Sequence, residues 1–144
     1  MVDDYVQKAS VQADLYLTDG SHIEGLVYVQ PEMSLLSSMR MLLIDDRRLI
    51  PFRGSSGELV FLGRGAVSAL RFEFDGDIPG GLGSSIHMRT TLTGGHELEG
   101  VLHLPDTGGR ISDMLDAADA WMLLVADNLA VWLASDLIIK WEAP

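Results

Sequence analysis

Alternation of apolar and polar residues opens the chain. Val11, Ala13, Leu15 and Leu17 alternate with Gln12, Asp14, Tyr16 and Thr18, the period of a strand with one buried face. Ile86, Met88, Thr90 and Leu92 fall at the matching places further on. The dipeptides Asp19-Gly20 and Gly94-Gly95 then predict tight hairpins. The next strands put Ile23, Val27 and Val29, and correspondingly Leu98, Leu102 and Leu104, on one face. Gly25 and Gly100 interrupt that face. A glycine inside a strand marks a sharp bend or a close backbone crossing. Both strands are therefore predicted to curl around a small barrel, with Gly20, Gly25, Gly95 and Gly100 as the structural glycines.

These correspondences form an internal repeat at a constant offset of 75. Leu17, Thr18, Gly20, Glu24 and Gly25 recur as Leu92, Thr93, Gly95, Glu99 and Gly100, and the register continues to Leu36-Ser37-Ser38-Met39 against Ile111-Ser112-Asp113-Met114. Spacing kept across both blocks predicts a duplicated unit, over 10–75 and 86–144. The Gly, Pro and Ser of 76–85 predict a linker. Apolar runs follow in each unit, Met41–Ile44 and Trp121–Val125. Hairpins come next, around Arg53–Gly57 and around Asp127-Asn128. Leu59–Leu62 then corresponds to Ala130–Leu133, and Val67–Phe74 to Leu137–Trp141. One helical turn is expected in the second unit, capped by Ser112, and a vaguer one over Ser34–Met39. The expected fold is all-β: two tandem five-stranded barrels with at most short helical turns. A unit of about 65 residues buries too little surface to be secure alone, so the two are expected to dock.

The run Leu17-Thr18-Asp19-Gly20 through Glu24-Gly25 to Val29 resembles the first signature of the Sm-like family, in which such a hairpin opens an SH3-like barrel. Leu62-Gly63-Arg64-Gly65-Ala66-Val67 is similar to its second signature, an Arg-Gly turn between the last two strands. The pattern also resembles uncharacterised bacterial Sm-like proteins. The resemblance implies barrels that pair through edge strands, and single-stranded RNA binding with Arg64 and Gly65 as contacts. The loops after the second strand, Gln30–Ser34 and Pro105–Gly109, lack the Asn of the family's RNA pockets. The second unit carries Ser135-Asp136 in place of Arg-Gly.

Composition narrows the function. The 144 residues allow one ordinary domain or two very small ones. A net charge of −11 repels phosphate backbones, so neither nucleic acid nor an anionic membrane is an expected partner. Cysteine is absent, which removes disulfides, thiolate metal sites and a Cys nucleophile. No stretch approaches the roughly 20 apolar residues of a spanning helix, and MVDDYVQKAS lacks the apolar core of a signal peptide. A soluble, cytoplasmic protein is expected.

Candidate chemistry is sparse. His87, His96 and His103 point outward by strand parity, near Glu97 and Glu99, but their spacing matches no ligand motif. These histidines, with His22, read as surface residues, so no metal or cofactor is expected. Glu24 and Glu99 recur without a second acid in fixed relation. Ser55-Ser56 and Ser84-Ser85 lack a His or Asp at a recognisable spacing. The glycines at 80, 81 and 83 lack the Lys-Ser or Lys-Thr of a phosphate loop. No catalytic residue is assigned, and an enzyme is not expected. Arg40, Arg47, Arg48, Arg53 and Arg64 form the one basic cluster and read as a solvated rim.

The second unit carries one further signal. Trp121–Val125 and Leu129–Leu133 are apolar at both parities, whereas a strand with one wet face alternates. Their second face must be covered by the first unit, by a barrel interior or by a partner chain. Open barrels also leave edge strands that need pairing. Trp121, Leu124 and Trp132 are therefore the candidate interface of a homo-oligomer, most simply a dimer. The expected function is a non-enzymatic protein-interaction or assembly module. RNA binding at Arg64 and Gly65 is the alternative, and a metal-assisted enzyme comes third.

Overall fold

Alternating strands joined by glycine turns build both halves of the chain. The computed structural model describes residues 9–45, 48–78, 82–104, 110, 115 and 120–144. The strands are β1 (Ala9–Leu17), β2 (His22–Val29), β3 (Leu49–Gly54), β4 (Leu59–Gly63), β5 (Val67–Glu73), β6 (Ser84–Leu92), β7 (Glu97–Leu104), β8 (Trp121–Ala126), β9 (Leu129–Ala134) and β10 (Ile138–Glu142). The helix α1 (Leu35–Ile44) follows β2, and single 3-10 turns at Arg64–Ala66 and Ser135–Leu137 precede β5 and β10. The expected linker gives way to β6 at Ser84. The helical turn expected at Ser112 lies outside the described residues.

The ten described strands form one antiparallel sheet in the order β10-β6-β7-β8-β9-β5-β1-β2-β3-β4. The first half contributes β5-β1-β2-β3-β4 and the second β10-β6-β7-β8-β9, the same order twice. Registers agree as well: Ala13↔Gly25 matches Met88↔Gly100, and Phe52↔Val60 matches Leu124↔Val131. The all-β expectation therefore holds, but closed barrels do not form. The sheet runs open from β10 to β4. The free side of β5 is taken by β9 of the other half, from Ala69↔Leu133 to Glu73↔Leu129. Hydrogen bonds that would close the first half on itself instead join the two halves.

Gly25 shows why the strands bend. It lies between Ala13 on β1 and Gly54 on β3, and a Cβ there would meet the carbonyl oxygen of Arg53 and the Phe52 ring at 2.8 Å. At Gly100 a Cβ would stand 2.7 Å from the Val125 carbonyl oxygen. Both strands cross their neighbours too closely for any side chain. The hairpin glycines Gly20 and Gly95 have φ of 91° and 100°, which L side chains rarely adopt.

The apolar run Met41–Ile44 is helical, which corrects its alignment with the strand-forming Trp121–Val125. Ser34 caps α1 by accepting a hydrogen bond from the Ser37 amide. Leu36, Met39 and Leu43 then recur at helical spacing and are buried. A helix of three turns therefore stands where only a short turn was expected. No helix among the described residues is long and apolar enough to cross a membrane.

Two apolar cores result, and each borrows from the other half. The first contains Leu15, Val27, Met39, Phe52 and Leu70 together with Leu123, Ala130 and Trp132 of the second half. The other contains Leu92, Leu102, Leu124, Val131 and Leu133 together with Tyr16 and Ala69 of the first. Alternate residues of β8 and β9 thus enter different cores, which explains why these strands are apolar at both parities.

Candidate functional site

Two features separate the ends of the sheet from its middle. The terminal strands β4 and β10 each have one side unpaired by the other described strands. In the middle, β5 and β9 join the halves. Because the halves share one strand order, the ends are of the same two kinds as the strands that already pair. β4 is the first half's counterpart of β9, and β10 is the second half's counterpart of β5.

Side chains at the first end show what an unpartnered β4 lacks. Leu49, Leu59 and Phe61 are exposed. Their counterparts Trp121, Ala130 and Trp132 all belong to the first core or pack against it. An open groove of about 530 Å³ runs along the same end, lined by Leu17, Ile23, Phe52, Val60 and Leu62 with Glu58. The counterparts of Leu17, Phe52, Val60 and Leu62 are Leu92, Leu124, Val131 and Leu133, which share their core with Tyr16 and Ala69. At β10, Ile139 is exposed, and Lys140 and Glu142 lie 3.4 Å apart, charges that guard a free edge against indiscriminate pairing.

The three residues assigned to an interface lie within the chain. Trp132 is buried in the first core, and its indole nitrogen donates to the Leu36 carbonyl at 3.1 Å. Leu124 is buried in the second core, and Trp121 is half-buried against the first. The first half supplies the cover that their apolar faces required.

Arg64 and Gly65 line a cavity of about 270 Å³ at the junction of the halves, with Trp121 and Asp136. The Arg64 guanidinium donates to the carbonyl oxygens of Leu42 and Leu49. Arg53 is also engaged, with the Tyr28 hydroxyl at 2.9 Å and the Gly57 carbonyl at 2.7 Å. The structure thus turns two members of the basic cluster onto local acceptors.

The hairpin tips meet at the seam. His96 Nε2 lies 2.8 Å from the Gly20 carbonyl oxygen. The rings of His22 and Tyr16 stack with centroids 4.5 Å apart, and His96 stands edge-on to Tyr16 at 5.0 Å. Burial pushes the Tyr16 phenol above its ordinary pKa, with the Arg71 guanidinium opposing. Arg71 also holds Asp14 through two bonds to Oδ2, at 2.7 and 3.1 Å. Elsewhere, His87 pairs with Glu99 at 3.1 Å on the surface. His103 is half-buried, and desolvation lowers its pKa. Asp14, His22 and Glu24 come together as a cluster that spacing along the chain did not single out. The hairpin at Asp19-Gly20 was the available signal, since it sets the register that brings Asp14 opposite Glu24.

No family model matches the chain. No curated protein and no solved structure matches it either.

Proposed function

We propose that the protein is a non-enzymatic assembly module, built from two Sm-like units, that joins copies of itself end to end through β4 and β10. The observation that carries this reading is the β5–β9 junction. The chain already contains one contact of the proposed kind, and its two ends repeat the two partners of that contact. Transferring the registers Ala69↔Leu133 and Leu70↔Trp132 to the free edges sets Lys140 opposite Leu62 and Trp141 opposite Phe61. The added strand supplies the missing ladder and covers the apolar face of Leu49, Leu59 and Phe61. A contact between unlike surfaces must close on itself or grow into a filament. A dimer is the smallest closed form that satisfies both edges.

Light scattering tests the proposal. The parent should have a mass that is a multiple of 15.7 kDa. Phe61→Lys, at an exposed position, should reduce that mass to one chain while circular dichroism shows the chain still folded. A monomeric parent at all accessible concentrations sinks the reading.

A second reading, single-stranded RNA at Arg64 and Gly65, draws on the junction cavity, where the Trp121 ring could stack a base. The net charge of −11 and the prior engagement of the Arg64 guanidinium weigh against it. Saturable, salt-sensitive binding of an oligonucleotide, weakened by Arg64→Ala, would put it first.

A further inference from the structure

Three donor groups converge on the outer face of the first half. His22 and Glu24 are alternate residues of β2, so both leave the same face. Asp14 on β1 sits directly opposite Glu24. One ligand atom from each of the three lies within 4.8 Å of the others. Carboxylates directly opposed on neighbouring strands repel each other. Arg71, paired with Asp14 from β5, offsets this on the side of β1 away from Glu24.

The second half shows how the same place is compensated there. The counterparts of Asp14, His22 and Glu24 are Arg89, Glu97 and Glu99. Arg89 pairs with Glu99 in register, with Nε 3.4 Å from the carboxylate. His87 approaches the same carboxylate at 3.1 Å. The second half thus carries a side-chain cation beside its glutamate. The first half has an acid at that position and a histidine two residues before its own glutamate.

We propose that Asp14, His22 and Glu24 bind a divalent transition-metal ion, with Zn²⁺ as the reference. One imidazole and two carboxylates suit zinc-class ions. Ca²⁺ and Mg²⁺ prefer all-oxygen shells. Tyr16 fixes the plane of the His22 ring, with an interplanar angle of 1°. Arg71 fixes the Asp14 carboxylate by its two bonds to Oδ2, and the same oxygen faces His22 Nε2 at 3.9 Å. Outer hydrogen bonds of this kind ordinarily orient metal-bound carboxylates. Three protein ligands leave a fourth tetrahedral position for solvent.

The test is calorimetric titration of the full chain with Zn²⁺ after treatment with a chelator, and with Co²⁺ for its visible absorption. The expected result is one equivalent bound per chain. His22→Ala and Glu24→Gln should each weaken binding by at least the roughly tenfold that loss of even an outer-shell partner brings. Both residues are exposed, so circular dichroism should show both variants folded. His87→Ala should leave the titration unchanged. Absence of binding, binding that survives both His22→Ala and Glu24→Gln, or binding lost in His87→Ala instead would overturn the assignment.

Discussion

Trp132 and Phe61 hold the same place in the two halves, yet Trp132 is 5 % exposed and Phe61 is 60 % exposed. Trp132 pairs with Leu123 on β8, and Phe61 with Pro51 on β3, its counterpart. The difference lies on the other side of the strand. Trp132 faces Leu70 of β5, while β4 ends the sheet. One position therefore records both the joined and the unjoined state of this edge.

Truncation of the buried ring should act on folding. Trp132→Ala removes a core side chain and the hydrogen bond to Leu36, at a cost of about 3–5 kcal/mol. A chemical denaturation curve measures it. A loss of unfolding free energy less than a third of that would mean that the two halves do not share this core.

Both strand glycines should resist substitution. Gly25→Val and Gly100→Val place a side chain against the backbone of Arg53 and Val125 respectively, which should cost about 2–4 kcal/mol. Gly63→Val is the control, because a Cβ there meets nothing within 4 Å. Thermal melts of the three variants decide the matter. Equal losses in all three would remove the close crossing as the cause.

Acid should weaken the fold through His103. Burial lowers its folded pKa from the ordinary 6.5, so the unfolded chain binds this proton first as pH falls. The stabilising contribution is complete above about 6.5 and is lost progressively below it. His103→Gln should flatten the decline in melting temperature over the first unit below that value. An unchanged slope would assign the decline to other groups.

The bends and hairpins were legible because the constraint acts locally. Gly25 and Gly100 must lack side chains wherever the strand crosses, and a hairpin needs positive φ at Gly20 and Gly95. The helix was only half legible. Ser34 is an evident cap, but four consecutive apolar residues, Met41–Ile44, suit a buried strand as well as a helix. Trp121, Leu124 and Trp132 showed that a second face was covered without showing by what. That depended on β5 pairing with β9 across the halves, a contact between residues about 60 apart in the chain. The Asp14–His22–Glu24 cluster depends on the cross-strand register, which spacing along the chain does not carry.

The absence of cysteine makes the proposed end-to-end joint open to direct measurement. Directly opposed residues on antiparallel strands have Cα atoms about 4.5–5.5 Å apart, within disulfide range. The chain carrying both Phe61→Cys and Trp141→Cys should form covalent multimers on mild oxidation. Either single variant should remain a single chain on a denaturing gel, and a mixture of the two should yield one covalent pair. Efficient self-linking of Phe61→Cys alone, or failure of the double variant to link between chains, would contradict the pairing of β4 with β10.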